Sequence, residues 1–399
     1  MSSWSMASLS DLGKISRGKS KHRPRNDASL YGGDYPFIQT GDVKEANFYI
    51  NEYSQTYNEN GLKQSKLWAK DTLCITIAAN IAESALLKFP ACFPDSIVGF
   101  IPYEGVSDVR YIKYLLDNYK TEFQKRSKGA TQDNLSVDKI NSLKVKVPNY
   151  SYQVKVADII STYDYLIENN QNRISTLEEM AQRLYTEWFI KFKFSGHQKV
   201  KMVDSGTALG MIPVGWAVNK LSEFASLTMG QSPKSEFYNE NGEGLPFHQG
   251  VSNFGYLYPE NKVYSSNGNR LAKNGDLLFS VRAPVGKLNI AASELILGRG
   301  LAAIRHKQNR QSFLLSMFFN RFTEKDMLGN GSIYKSINKS ELENLLFIIP
   351  PEELIELFEP ISEKYFEKLN ILTQRTTNLS MTRDLLIENL VTGKKRLKS

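Results

Sequence analysis

Residues 160–188 read ISTYDYLIENNQNRISTLEEMAQRLYTEW. Apolar side chains return here after three and then four residues, from Ile160 to Trp188, which places them along one side of an α-helix. About four such heptads form a narrow apolar seam, and a second helix must cover it because a lone helix leaves it in water. About thirty residues predict a rod roughly 45 Å long.

A second run with the same spacing extends from Tyr365 to Leu390 and passes through Arg383. The simplest arrangement that buries both seams packs the two helices against each other. Asn170 either fixes the register of this pair or marks a point where the seam opens to solvent. The residues predicted at the seam are Ile160, Ile167, Asn170, Ile174, Leu177, Leu184, Trp188, Tyr365, Leu369, Leu372, Leu379 and Leu386.

The two helical runs belong to a duplication of the whole chain. Ordered matches at an offset that falls from 212 to 202 residues predict two copies of one unit. Three matches are Leu9–Leu12 with Leu221–Phe224, Pro36–Gln39 with Pro246–Gln249, and Lys70–Leu73 with Gly275–Leu278.

The first part of each copy alternates short apolar runs with Gly-, Asn- and Pro-rich turns, which predicts strands, with helices near 107–124 and 311–323. The fold class expected is α+β, with two repeated globular mixed α/β domains joined by two long helices. The predicted domains are a globule over 1–147, a helix over 148–195, a linker over 196–213, a globule over 214–349 and a helix over 350–399.

Composition narrows the function classes. The 399 residues include 50 Lys and Arg against 42 Asp and Glu, a net charge of +8, which favours nucleic acid only weakly. Two cysteines and four histidines are too few for a zinc ribbon or a disulfide framework, and Cys74 and Cys92 lie in apolar runs typical of a core, so no metal site is expected. The longest apolar stretch, 72–87, contains Asn80 and Glu83 and is too short to span a membrane. We expect a cytoplasmic chain.

Several stretches together resemble the DNA-specificity subunit of type I restriction-modification systems. Their order, spacing and duplication carry the resemblance, which covers nearly the whole chain. The stretches are Tyr35–Asp42, Gly129–Ser136, Arg183–Phe189, Asn274–Lys287 and Leu390–Lys394.

This resemblance implies two target-recognition domains, 1–147 and 214–349, and two helices that form an antiparallel coiled coil. The chain would be non-catalytic and would read a two-part site in double-stranded DNA, with the coiled coil as a ruler for the unread spacer. The implied partners are two methyltransferase subunits and restriction or motor subunits. Those partners would use S-adenosylmethionine, ATP and Mg, and this chain would bind no cofactor.

Candidate DNA contacts come from charge and hydrogen-bonding capacity. A flexible basic loop suits phosphates, whereas amides and guanidinium groups can read base edges. Arg282 and Arg299 suit guanine, although ordinary surface ion pairs are an alternative for both. The first copy offers Lys14, Arg17, Lys19, Lys21, Arg23 and Arg25, and then Lys125, Arg126, Lys128, Thr131, Gln132 and Asn134. The second copy offers Gln231, Lys234, Gln249, Arg282, Arg299, Lys325, Asn330, Ser332, Tyr334 and Lys335.

Catalytic motifs give weaker alternatives. Residues 13–20 match the phosphate-loop pattern, but Pro24 and basic residues follow where that motif needs a helix. A stand-alone restriction nuclease or DNA methyltransferase is the second hypothesis. However, Glu260-Asn261-Lys262 has no aspartate in the preceding fifty residues to serve as its acidic partner, and Pro94-Asp95 has no Glu-x-Lys at a useful distance after it. A coiled-coil scaffold without a DNA role would leave the paired basic loops unexplained.

Overall fold

The structure is a computed structural model that describes residues 4–127, 136–142, 144–322 and 336–397. It divides into two compact units, the first formed by Met1–Asn169 with Thr376–Ser399 and the second by Asn170–Arg375. Each unit therefore contains one globule together with a part of each long helix. No helix in the described ranges is long and apolar enough to cross a membrane.

The first unit holds two mixed sheets and a separate strand pair. Its sheets have the orders β2-β10-β7-β8-β4 and β5-β3-β9-β6, and β1 pairs with β11. Its strands are β1 (Trp4–Ala7), β2 (Gly13–Arg17), β3 (Tyr31–Phe37), β4 (Tyr49–Ile50), β5 (Gln55–Tyr57), β6 (Leu67–Trp68), β7 (Leu73–Thr76), β8 (Ser84–Leu87), β9 (Ala91–Cys92), β10 (Ile97–Pro102) and β11 (Val145–Pro148). Its helices are α1 (Leu9–Leu12), α2 (Thr40–Glu45), α3 (Glu59–Gln64), α4 (Val109–Ser127) and α5 (Val137–Ser142), followed by the first long helix, α6 (Tyr150–Tyr185).

The second unit repeats this plan. Its larger sheets have the orders β15-β23-β20-β21 and β16-β18-β17-β22-β19, and β14 pairs with β24 as β1 pairs with β11. Its strands are β12 (Met202–Asp204), β13 (Met211–Pro213), β14 (Ala217–Lys220), β15 (Ala225–Met229), β16 (Tyr238–Asn239), β17 (Leu245–His248), β18 (Tyr264–Ser265), β19 (Leu271–Ala272), β20 (Leu277–Ser280), β21 (Leu288–Ile290), β22 (Leu295–Leu297), β23 (Leu301–His306) and β24 (Leu346–Ile349). Its helices are α7 (Leu221–Phe224), α8 (Gln311–Arg321) and α9 (Lys339–Glu343), followed by the second long helix, α10 (Glu352–Leu386).

The central strands β7 and β20 are buried along their whole length because both of their faces are covered. Along β7, Leu73 and Ile75 belong to a core shared with the helices, whereas Cys74 belongs to a core under the second sheet. In β20, Leu277 and Phe279 face the helical core and Leu278 faces the other. This alternation explains the short apolar runs in both copies, and it buries the free thiols of Cys74 and Cys92.

The structural repeat corrects one sequence match by a residue. The Asp71 amide donates to the Leu87 carbonyl, and the Gly275 amide donates to the Ala291 carbonyl, both at 2.8 Å. Asp71 and Gly275 also share a left-handed backbone, with φ of 62° and 82°. Asp71 therefore corresponds to Gly275 and not to Asp276. Gly and Asp both tolerate this conformation, so matching the two Asp letters shifted the alignment.

The two long helices run in opposite directions within each unit, which confirms the antiparallel coiled coil. In the first unit, Ile160 near the start of α6 shares a core with Leu390 from the far end of the chain. In the second, the Phe189 ring lies 4.9 Å from that of Phe358, near the start of α10. Each helix ends in a five-residue π-helical segment, Thr186–Ile190 and Ile387–Val391, a further mark of the duplication.

All of the predicted seam residues are buried or partly buried. Asn170 is 9% exposed, so the seam does not open to solvent there, and its role in register stays a prediction. The buried residues are Ile160, Ile167, Asn170, Ile174, Leu369 and Leu372. The partly buried residues are Leu177, Leu184, Trp188, Tyr365, Leu379 and Leu386.

The segment predicted as a linker, 196–213, contains regular structure. Strands β12 and β13 pair antiparallel within it, with Met202 opposite Pro213. Gly206 and Gly210, both with positive φ, lie in the connection between these strands and allow the chain to reverse direction.

Arg383, the cation on the predicted seam track, has a buried partner. Its guanidinium lies 2.9 Å from Asp164 Oδ1, and the Tyr114 hydroxyl donates to Asp164 Oδ2 at 2.5 Å. The Asp164 and Arg383 side chains are only 11% and 22% exposed. The carboxylate thus joins α4, α6 and α10 inside the first unit.

Replacing Asp164 with alanine should destabilise the protein, because it removes the buried partner of Arg383 and leaves that charge only the exposed carboxylate of Asp384, 2.8 Å away. The loss expected for breaking a buried pair is about 3–5 kcal/mol in the free energy of unfolding. The matched control is Asp158→Ala, which removes a 59% exposed carboxylate 2.8 Å from Arg110 and should cost about 1 kcal/mol or less. Urea unfolding followed by circular dichroism measures both. Equal losses for the two variants would contradict a structural role for the buried pair.

Candidate nucleic-acid interface

The basic cluster of the first copy begins on a strand. Lys14 and Arg17 are exposed on β2, and Lys19 and Lys21 follow after Gly18. Within the described ranges, none of these four cations has a carboxylate within ion-pair distance. They form a set of free positive charges at one edge of the first unit's sheet.

The segment after β2, predicted to be a flexible basic loop, is a loop without regular secondary structure, and hydrogen bonds connect it to its surroundings. The amides of Lys21 and His22 donate to Gln64 Oε1 at 2.6 and 3.0 Å. Ser65 Oγ donates to the Lys19 carbonyl at 2.7 Å, and His22 Nε2 lies 2.8 Å from Asp27 Oδ2. These contacts tie the loop to α3 and to Asp27.

Arg23 and Arg25 differ from the lysines because they have an acidic partner. Arg25 Nη2 donates to Asp95 Oδ1 at 2.6 Å, and Arg23 Nη2 lies 3.9 Å from Asp95 Oδ2. All three side chains remain about half exposed, between 41% and 55%. Both guanidinium groups are thus held at the surface with donors to spare.

Lys66 is a further candidate that sequence reasoning missed. Its Nζ lies 3.4 Å from the centre of the Trp68 ring, and burial together with the neighbouring charge of Lys14 lowers its pKa. Folding therefore brings Lys66 beside a cluster about fifty residues earlier in the chain. No local motif in 59–66 signals this, because the contact depends on α3 packing against the 19–22 segment.

In the second unit, glycines bring three segments into close contact. A Cβ on Gly230 would lie 2.1 Å from the Gly298 carbonyl oxygen, and one on Gly298 would lie 2.4 Å from Gln249 Cα. Gly300 donates its amide to the Gln249 carbonyl at 3.0 Å. No larger residue fits between these backbones, so the ends of β15 and β17 meet the turn before β23.

This contact brings together Gln231, Gln249 and Arg299, three of the predicted residues, and it orients the side-chain amide of Gln249. Ser232 Oγ donates to Gln249 Oε1 at 2.7 Å and accepts from the Arg299 amide at 3.2 Å. The Nε2 donors of Gln249 are left for a ligand. Gln231, beside Ser232, is exposed, as are the Gln249 and Arg299 side chains. An amide and a guanidinium side by side can read the edges of adenine and guanine.

The two units share this backbone frame but not its charge. Lys14, Arg17, Lys19 and Lys21 correspond to Ser226, Met229, Gln231 and Pro233 in the second copy. The second unit thus has a segment at the same position as the first basic loop, but that segment lacks these four positive charges.

Two further candidates of the second unit lie elsewhere. Arg282 is exposed and forms an isolated antiparallel bridge with Ser336 through its backbone. Lys234 lies 3.8 Å from Glu236, and both side chains are more than 60% exposed. In the described part of the chain neither Arg282 nor Arg299 has an ion-pair partner.

The loops predicted after α4 and α8 fall largely outside the described residues. Lys125 and Arg126 lie in α4, but their side chains are not described. The remaining candidates in these loops lie outside the described ranges: Lys128, Thr131, Gln132, Asn134, Lys325, Asn330, Ser332, Tyr334 and Lys335.

The phosphate-loop pattern at 13–20 lacks the structural context of a nucleotide site. Its first five residues form β2, and the chain then continues without helix to a short 3-10 turn at Ala28–Leu30. A phosphate loop presents its amides at the start of a helix, so this segment cannot act in that way. Among the described residues, no group of three or more His, Cys, Asp or Glu side chains could hold a metal ion.

Comparison with known proteins places this duplicated architecture. The family described as type I restriction modification DNA specificity domain matches the chain twice, over residues 1–179 and 213–384. The chain belongs to this family. Membership confirms the resemblance inferred from the sequence, and it makes the chain a DNA-specificity subunit rather than a catalytic one.

Individual relatives cover most of the chain. The putative type I restriction enzyme MjaX specificity subunit of Methanocaldococcus jannaschii is 31% identical over 305 residues, 75% of this chain and 71% of that protein. The MjaIX specificity subunit of the same organism is 24% identical over 99% of this chain and 94% of its own. The crystal structure of a type I restriction-modification S subunit from M. genitalium has the same fold, with a TM-score of 0.68 at 15% identity over 97% of this chain and 96% of that chain.

The glycine contact of this specificity subunit makes a stability prediction. Gly298→Ala should lower the free energy of unfolding by about 1–3 kcal/mol, because the added methyl group overlaps Gln249 Cα and forces a backbone shift. Gly250→Ala is the control, since its Cβ would meet nothing within 4 Å and its φ is −174°. Urea unfolding should leave the control within about 0.5 kcal/mol of the parent. A Gly298 variant as stable as the control would show that the close contact is not needed.

Proposed function

We propose that this specificity subunit reads a DNA site in two halves, one with the globule of each unit. The proposal rests on a backbone contact that occurs in both units. In the first unit the residues after β2 contact the turn before β10, and in the second the residues after β15 contact the turn before β23. Gly18 and Lys19 donate their amides to Ile97 and Phe93 at 2.8 and 3.0 Å. Gly230 and Gln231 donate to Leu301 and Leu297, both at 2.9 Å. Two copies of one reading surface suit two half-sites.

Within this proposal the two surfaces contribute different contacts. Lys14, Arg17, Lys19 and Lys66 of the first unit are exposed or half-buried cations, and they suit phosphate oxygens, with release of counterions. Gln249 and Arg299 of the second unit suit base edges, because both present donors in a fixed frame.

The partners we propose are two methyltransferase subunits, joined by restriction or motor subunits for cleavage. Support comes from large apolar side chains that are exposed on the long helices. In the first unit these are Tyr165, Leu166, Met381 and Leu385, and in the second they are Met180, Leu357, Ile361 and Ile371. Leu357 and Ile361, like Met381 and Leu385, are four residues apart and share one face of α10, and contiguous exposed apolar side chains suit a protein docking surface.

We assign the chemistry to those partners, which would use S-adenosylmethionine, ATP and Mg, because the role of this chain in its family is specificity. This chain would bind no cofactor of its own. Since its proposed target is cellular DNA, it would act in the cytoplasm.

Replacing Lys66 with glutamine should weaken binding to duplexes of any sequence by a similar factor. The magnitude of the slope of log Kd against log salt concentration should fall by about 0.9, the change for one lost phosphate contact. Fluorescence anisotropy at several salt concentrations measures both quantities. The control, Lys394→Gln, removes the same charge from a lysine 2.6 Å from Glu388 and should change the slope less. Indistinguishable slopes for the two variants would place Lys66 outside the interface.

Exchanging residues 214–349 for the corresponding domain of another family member tests the two-half reading itself. The exchanged chain, expressed with its methyltransferase partner, should methylate sites in which one half is new and the other is unchanged. Single-molecule sequencing of adenine methylation reports both halves directly. A change in both halves at once would contradict the assignment of one half to each unit.

A further inference from the structure

Equivalent turns in the two units present residues of opposite charge. Ile97 donates its amide to the Pro94 carbonyl at 3.0 Å, and Leu301 donates to the Gly298 carbonyl at 3.0 Å. The turns occupy matching places, each leading into the last long strand of its unit, β10 or β23. Asp95 and Arg299 are the matching residues, and the difference puts an acid where DNA is expected.

Asp95 pairs with Arg25, and this pair places a guanidinium beside the turn of the first unit, where the second unit has that of Arg299. Arg25 Nη2 donates to Asp95 Oδ1 at 2.6 Å, whereas Arg299 has no carboxylate partner in the described part of its unit. Both turns therefore have an exposed arginine guanidinium beside them. In the first unit it comes from the 18–27 segment, and in the second from the turn itself.

Arg25 is held at two points. The Tyr31 hydroxyl donates to its backbone carbonyl at 2.7 Å, and Asp95 holds its side chain. The contact with Asp95 uses one N–H of Nη2, so the other N–H of that nitrogen and both of Nη1 are free for a ligand. Because the Arg25 and Asp95 side chains are 46% and 41% exposed, their pairing adds little to stability. Its effect is to restrict where the guanidinium points.

We propose that Asp95 is a positioning residue: it holds Arg25 so that Arg25 reads a guanine in the first half-site. Arg299 reads a guanine in the second half-site. This rests on the proposed two-half reading. Guanine offers N7 and O6 on its major-groove edge, and two free N–H groups of one guanidinium match them. An arginine fixed by a carboxylate loses less conformational freedom on binding than a free one.

The alternative role of Asp95, weakening the pull of the basic segment on phosphates, makes the opposite prediction. If the carboxylate only offsets positive charge, its removal strengthens binding to every duplex by a similar factor. If it positions Arg25, removal lowers the preference for the selected site while binding to unrelated DNA is unchanged or stronger. The ratio of the two affinities separates these roles.

The experiment uses the full-length chain and a pool of DNA duplexes of random sequence. Repeated selection on the unmodified chain defines its preferred site, and anisotropy then gives the affinity for that site and for an unrelated duplex. Asp95→Ala should lose the preference for guanine at one position of one half-site and reduce the affinity ratio by about tenfold or more. Arg25→Ala should lose the same position, and the double variant should lose no more than Arg25→Ala alone.

Two controls make the outcome decisive. Asp95→Glu keeps the carboxylate and should retain the guanine preference in part, and Arg299→Ala should affect a position in the other half-site. An Asp95→Ala chain that keeps the full preference while binding all duplexes more tightly would overturn the inference and leave the proposed function intact. An unmodified chain that selects no sequence at all would overturn the proposed function, and the inference with it.

Discussion

Each globule completes its core with helix surface from outside its own span of the chain. The core of the first unit includes Leu390 and Val391, and the Tyr111 hydroxyl donates to the Val391 carbonyl at 2.9 Å across 280 residues of sequence. The core of the second unit includes Tyr185 and Phe189, which precede its globule. Neither globule can complete its core with its own strands and short helices. The antiparallel direction of the long helices follows, because only that direction brings the end of the chain back to the first unit.

The sequence was sufficient for the features that depend on local pattern. The 3-4 spacing from Ile160 to Trp188 predicted the seam, and runs such as Leu73–Thr76 predicted strands because both faces of those strands are covered. Features created by contacts between distant segments could not be predicted. Lys66 reaches the basic cluster through the packing of α3, and Asp95 meets Arg25 across 70 residues. The one-residue error in matching Asp71 to the second copy has the same cause, because only its hydrogen bond to the distant Leu87 carbonyl shows that it corresponds to Gly275.

Duplication has preserved backbone contacts more closely than side-chain chemistry. Gly18 and Gly230 make the same amide contact with the last long strand, and a Cβ on either would lie within 2.4 Å of a carbonyl oxygen. Around this fixed point the side chains change freely, from Lys19 to Gln231 and from Asp95 to Arg299. Substitution at a close backbone contact costs stability, whereas exposed side chains beside it can be exchanged at little cost. Such a frame can hold its shape while the sequence that it reads changes.

The unequal charge of the two surfaces bears on how they would share the work of binding. Phosphate contacts give affinity that depends on salt and not on sequence, whereas contacts with base edges give the discrimination. The first unit has free lysines, and its arginine, Arg25, is held in place by Asp95. The second has few cations at the same frame, and Arg299 is presented by the backbone turn itself. A guanidinium among many cations is drawn to any phosphate, so a carboxylate that restrains it is needed most where the surrounding charge is highest. On this proposal the acid lies in the basic unit because there the arginine has to be held in place against the surrounding phosphate contacts.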